Sequence, residues 1–200
     1  FIDRDFGIKT LSMMKAVSNE LIKDCLTMDP IQTAELMTET NDFYYCPYIY
    51  GFSNYSRANY RKNILKYIDV MDLSGKGPAG THLGGTGIAV SNVSKNKDLA
   101  VEYAFWIASA ECQKSLFYES GGQPGNSEAW EDKKINSETN DFFKATRKTL
   151  NLAWVRPRHN GYMEFQDKSG DLINEYLQSE IRPESVCEKL SDMYNASFKE

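Results

Sequence analysis

Residues 82–109 read HLGGTGIAVSNVSKNKDLAVEYAFWIAS. Gly84, Gly85 and Gly87 stand at its start, and paired glycines permit positive φ and close backbone approach. Thr86 to Val90 then predicts a short strand. From Asn96 the period changes: Leu99, Tyr103, Trp106, Ile107 and Ala110 share one helical face. Ser109-Ala-Glu restarts the pattern, which runs to Tyr118. The stretch thus passes from a predicted strand to a predicted helix.

Toward the N-terminus, Ser74 to Gly80 is a loop with three glycines and one proline. Ile64, Tyr67, Ile68 and Val70 predict another strand. The aromatic run Phe43 to Ile49 predicts a buried strand ending near Pro47. Asn41-Asp42 marks a turn. Asp29-Pro30 reads as an N-cap and first-turn proline, opening a helix to about Thr38. Ile8, Leu11, Met14, Val17, Leu21 and Ile22 predict an amphipathic helix over roughly 7–25. Toward the C-terminus, Gly121-Gly-Gln-Pro-Gly125 is a firm break, with a helical turn at Glu128–Trp130 after it. Helices are predicted over 142–153, 162–177 and 183–197, with a break at Arg156–Gly161. The strand segment is too small to form its own sheet with both faces covered. It requires strands from outside this chain, or pairing across a partner.

The chain has 200 residues, 41% hydrophobic and 26% charged, an ordinary globular composition. No apolar run is long enough to span a membrane. The pI near 5.2 argues against nucleic-acid binding. Charge is unevenly placed: residues 1–46 carry −4, residues 47–95 carry +4 and residues 96–200 carry −5. Phe1 opens on a helix-leading stretch with no initiator Met or leader, which reads as an internal or processed piece of a longer chain. Cys25, Cys46, Cys112 and Cys187 lie far apart, and His82 and His159 have no metal-ligand spacing, so no metal or cofactor is expected. Cys25, Cys112 and Cys187 fall in helical pattern as small core residues. No nucleophile elbow or Ser/His/Asp spacing is present, so no residue is assigned a catalytic role, and the many Asp and Glu leave an acid/base carboxylate pair open. Asn54, Asn92 and Asn195 begin glycosylation tripeptides that chance explains.

Three features carry binding chemistry. Residues 43–55 hold seven aromatics in thirteen positions. Phe43 to Tyr45 read as core, whereas Tyr48, Tyr50 and Phe52 read either as core or as a binding wall, since tyrosine pairs an apolar ring with a polar tip. Gly84 and Gly85 offer backbone amides to a ligand hydroxyl or carboxylate, or form a plain turn. Arg156-Pro-Arg158 with His159-Asn160-Gly161-Tyr162 opens a helix whose N-terminus suits anionic or hydroxyl-rich ligands. Its other reading is a solvated loop.

Taken in order, Gly-Gly-Thr-Gly-Ile-Ala-Val-Ser (84–91), Ser-Lys-Asn-Lys-Asp-Leu-Ala (94–100), Tyr-Ala-Phe-Trp-Ile-Ala-Ser (103–109), Gly-Gly-Gln-Pro (121–124), Arg-Pro-Arg (156–158) and Gly-Tyr (161–162) resemble the extracellular solute-binding proteins of ABC importers, of the maltose-binding-protein-like class. Cys46-Pro47, Tyr50-Gly51 and Tyr55-Ser56 are similar to one branch of that family. The resemblance covers residues 8–197 and implies a two-lobe α/β periplasmic-binding-protein fold, of which this chain is a helix-rich C-terminal part. Residues 1–46 would bring helices of the C-terminal lobe and the first hinge strand. Residues 47–95 would be a short strand segment of the N-terminal lobe, and residues 96–200 the helical remainder of the C-terminal lobe.

The implied function is capture of a small solute, a carbohydrate by preference, for delivery to permease subunits. Tyr48, Tyr50 and Phe52 would supply stacking, Gly84 and Gly85 backbone amides, and Arg158 and Tyr162 contacts from the C-terminal lobe. The implied location is extracellular or periplasmic, with a lipid anchor in some members. Strand edges deprived of neighbours would invite dimerisation. Two rivals stand beside this reading. A carbohydrate-active hydrolase requires paired carboxylates, one with a raised pKa. A protein-interaction module requires an exposed apolar patch around 43–55.

Overall fold

The computed structural model describes residues 2–72 and 75–198. It is helix-rich, 53% helical with almost no strand. The helices are α1 (Arg4–Ser18), α2 (Pro30–Glu39), α3 (Lys97–Ala108), α4 (Ala110–Lys114), α5 (Leu116–Glu119), α6 (Ser127–Trp130), α7 (Lys133–Glu138), α8 (Phe142–Ala145), α9 (Arg147–Asn151), α10 (Tyr162–Leu177) and α11 (Pro183–Ala196).

Local chemistry sets most boundaries. The Asp29 carboxylate accepts from Gln32 N at 2.7 Å, and the Gln32 amide oxygen accepts from Asp29 N at 2.9 Å. This capping box satisfies backbone groups that would otherwise be orphaned at the start of α2. Asp3 caps α1 by accepting from Phe6 N, and that helix stops at Ser18, short of the predicted 25. A separate 3-10 turn takes up Lys23–Leu26. Ser109 ends α3 and caps α4 by accepting from Cys112 N. The α7 helix, absent from the sequence reading, starts at Asp132, which accepts from Ile135 N. Cys112 and Cys187 are buried, Cys25 and Cys46 half-buried, and all four are free thiols.

The strand expectations fail. Residues 43–49, 64–70 and 86–90 form no ladder. Among the described residues, pairing is limited to an antiparallel bridge between Met71 and Pro78 and a parallel one between His82 and Trp154. The physical reason is that β propensity reports fit to a half-covered pleated surface rather than an autonomous preference. Ile64, Ile68 and Ile88 find no such cover and stay exposed. Phe43 is half-buried, but Tyr44 and Tyr45, expected in the core, are 87% and 75% exposed.

The chain divides into two compact units, Phe1–Met28 with Arg156–Glu200, and Asp29–Val155. The sequence-based cuts after residues 46 and 95 both fall inside the second. In the first unit α1, α10 and α11 pack around Leu11, Tyr176, Val186, Cys187 and Leu190. Lys15 donates to the Ser179 carbonyl and lies over the Tyr176 ring.

In the second unit Tyr118, Ala129, Ile135, Phe142 and Phe143 form the core. Arg57 lies 4.1 Å over the Tyr118 ring and donates to the Tyr118 and Gly122 carbonyls. Gln123, from the Gly-Gly-Gln-Pro stretch, accepts from Ser53 N at 2.7 Å and donates to Gly51 O. That stretch therefore positions the backbone that carries Phe52.

Candidate functional site

The second unit brings together residues far apart in sequence. Gly80 allows the first approach: a Cβ there would stand 1.9 Å from the Leu152 carbonyl oxygen. Only glycine admits the two backbones at that spacing. Beyond it, Trp154 N donates to Thr81 O at 2.7 Å and Leu83 N donates to Trp154 O at 2.9 Å. These bonds hold His82 beside Trp154, their ring centroids 5.5 Å apart.

Tyr50 completes the group. Its hydroxyl and His82 Nδ1 share a 2.6 Å hydrogen bond, donated by the phenol when Nδ1 carries no proton. The Tyr50 and His82 centroids are 6.1 Å apart. Gly84 lies against the Tyr50 ring so closely that a Cβ would come within 2.7 Å of it. Tyr50 and Trp154 both keep exposed ring surface. The product is an open aromatic cluster of Tyr50, His82 and Trp154, flanked by a glycine-rich segment whose backbone is accessible. Gly85 has open space where a side chain would project.

The other expected residues divide by unit. Tyr48 and Phe52 are exposed beside Tyr50 in sequence and belong to the same unit. Arg158 is exposed in the other unit. Tyr162 is 7% exposed. Its ring packs against His159 and Phe165 inside that unit, and burial raises its phenol pKa. Gly161, before α10, has φ of 99° and faces the Ser197 carbonyl. His159 stacks on Phe198 at 4.1 Å and shares a 2.8 Å hydrogen bond with Ser197. The Arg156–Gly161 loop thus seats the end of α11. Sequence reasoning missed His82 and Trp154 as members of the cluster. In the sequence His82 heads the glycine-rich stretch without metal-ligand spacing, and Trp154 lies just beyond the helix predicted over 142–153. The signal was weak, since neither lies in a periodic pattern.

Electrostatics in the second unit centre on Glu35. Arg61 donates to both its oxygens, at 2.7 and 2.6 Å, and Tyr55 donates to Oε1 at 2.8 Å. The Arg61 bonds, and then that from Tyr55, hold the Glu35 pKa below the usual carboxylate range. Burial, with the Glu35 anion as second cause, pushes the Tyr55 phenol up to about 12. Glu35 is therefore held as an anion, the opposite of what a general acid needs. No group of three or more His, Cys, Asp or Glu among the described residues is placed to hold a metal ion. No described helix is long and apolar enough to cross a membrane.

No protein-family model matches the chain, and no solved structure matches it significantly.

Proposed function

We propose that this chain is part of the substrate-binding component of an ABC importer, taking a small extracellular solute, a carbohydrate, for delivery to permease subunits. The single observation that supports the sugar assignment is the Tyr50–His82–Trp154 cluster beside Gly84. Exposed ring faces stack on the apolar face of a sugar. His82 and the free backbone amides near Gly85 suit its hydroxyls. The importer assignment rests on the ordered sequence motifs from residue 84 to residue 162. In this reading Tyr48 and Phe52 line the approach, capture precedes hinge closure, and no bond is made or broken. The working compartment is extracellular or periplasmic.

A second reading has its own support. Tyr44, Tyr45, Tyr48, Tyr50 and Phe52 are all exposed, which is the patch a protein-interaction module requires.

The test is a thermal-shift screen against mono- and oligosaccharides, amino acids and small anions, followed by titration of tryptophan emission. A ligand that binds only the native state raises the melting temperature by mass action. A sugar that raises it and changes the emission of wild type, but not of Trp154→Phe, supports the sugar-receptor reading. A chain indifferent to every sugar, or one that consumes the sugar, overturns it.

A further inference from the structure

Of the asparagines in the chain, Asn160 alone is followed by glycine. The pair lies in the turn that leads into α10. Tyr162 N donates to His159 O at 3.2 Å, and Gly161 has φ of 99° and ψ of −12°. These values define a type II turn with Asn160 and Gly161 at its centre. Asn160 is exposed. Among the described residues its side-chain amide enters no hydrogen bond, and the Gly161 N–H donates none. Asn126 and Asn136, each followed by the small residue serine, are tied down instead. Asn126 accepts from Glu128 N and donates to Ala108 O. Asn136 is buried, donates to Trp130 O and accepts from Lys144 N.

We propose that Asn160 is a site of spontaneous deamidation, at which the Gly161 nitrogen closes on the Asn160 side chain and water is the only other reactant.

In the first step the Gly161 nitrogen gives its proton to water and bonds to Asn160 Cγ. The bond from Cγ to the side-chain nitrogen breaks, ammonia leaves, and a succinimide ring remains. Water then adds to one of the two ring carbonyls. Addition at Cγ opens the ring to aspartate. Addition at the main-chain carbonyl opens it to isoaspartate, with the main chain rerouted through Cβ and Cγ. An intramolecular attack needs no second molecule brought into place. Glycine at 161 sets no Cβ beside the attacking nitrogen and follows the peptide rotation that ring closure requires.

The place of the turn gives the two products different consequences. Aspartate puts an anion just before α10, where the helix dipole favours it. Isoaspartate adds one carbon to the main chain between His159 and Gly161. Both of these neighbours are fixed against the end of α11. His159 stacks on Phe198 at 4.1 Å and bonds to Ser197, and Gly161 faces the Ser197 carbonyl. The added carbon shifts one of these contacts, so isoaspartate loosens the seat of α11.

The experiment is incubation of the whole native chain at about pH 8, where base assists the attack, beside the same chain unfolded in urea. Peptide mapping by mass reads deamidation, and enzymatic methylation of isoaspartate reads the rerouted product. Native Asn160 is expected to convert within about tenfold of its rate in urea, since neither reacting group is held. It should also convert at least about ten times faster than any other asparagine of the native chain. Asn126 and Asn136 should convert in urea only. Asn160→Gln should abolish the product, because its side chain closes only a larger, slower-forming ring. The isoaspartate fraction should melt below both wild type and Asn160→Asp. An Asn160 that converts in urea but keeps its amide in the native chain overturns the proposal. So does another asparagine converting first. None of these outcomes depends on whether a sugar binds at Tyr50 and Trp154.

Discussion

The phenol oxygen of Tyr50 and Nδ1 of His82 lie 2.6 Å apart across 32 residues of sequence. The contact exists because the 81–83 backbone is bonded to Trp154, which fixes His82 where the Tyr50 hydroxyl reaches it. Ring and hydroxyl of Tyr50 therefore have separate tasks. Tyr50→Phe keeps the ring and releases His82, whereas Trp154→Ala removes stacking area. In a titration with the sugar that the screen identifies, Trp154→Ala is expected to lower affinity roughly tenfold, the scale of one aromatic contact. Tyr50→Phe should have the smaller effect. Equal affinities in all three proteins would place the sugar elsewhere.

Gly161 and Gly125 separate backbone need from mere exposure. A Cβ at Gly161 would meet the Ser197 carbonyl oxygen at 2.1 Å, and its φ is 99°. Gly161→Ala is strained twice over and is expected to cost about 2 kcal/mol or more in chemical denaturation. Gly125 has nothing within 4 Å of its added Cβ, and Gly125→Ala should lie within about 0.5 kcal/mol of wild type.

The Glu35–Arg61 pair predicts an acid-side dependence. Arg61 lowers the Glu35 pKa on folding, so the folded state favours the carboxylate. The stabilisation is present above the unfolded glutamate pKa and is lost as pH falls through the lower folded value. Melting temperature followed from about pH 7 to about pH 3 should fall less in Glu35→Gln than in wild type. Parallel curves would show that the pair contributes nothing to acid stability.

Tyr55, Tyr67 and Tyr118 predict an alkaline dependence of opposite sign. Burial pushes each phenol up to about 12, with Glu35 adding to the effect at Tyr55 and Glu138 at Tyr118. Their contribution is complete below the unfolded tyrosine pKa of about 10 and is lost as pH rises through the folded values. Tyrosinate absorbance in the native chain should show late-titrating groups that merge with the rest once urea unfolds it. Tyr67→Phe should remove one of them.

Much of the helical layout was legible because it is written locally. Asp29-Pro30, Pro183 and the spacing of Tyr162 to Leu177 specify caps and one apolar face each. The boundaries of α10 agree to the residue. The strands expected at 43–49, 64–70 and 86–90 are absent because a strand requires a neighbour, and no periodicity within a segment reports whether one is present. For the same reason Tyr44 and Tyr45 look like core in the sequence and stand in solvent in the fold.

The chain order of the glycine, Arg-Pro-Arg and aromatic motifs was determined by sequence alone, and with it the family resemblance from which a function is argued. Local hydrogen bonding and side-chain periodicity also needed nothing further, since they act over three or four residues. Tertiary structure decided which aromatics meet. Tyr50, His82 and Trp154 converge only because Gly80 lets two distant backbones touch. It decided too that Leu99, Tyr103 and Phe105 of α3 stand in solvent. Burial depends on what lies across the gap, and the sequence of a single segment holds no record of that.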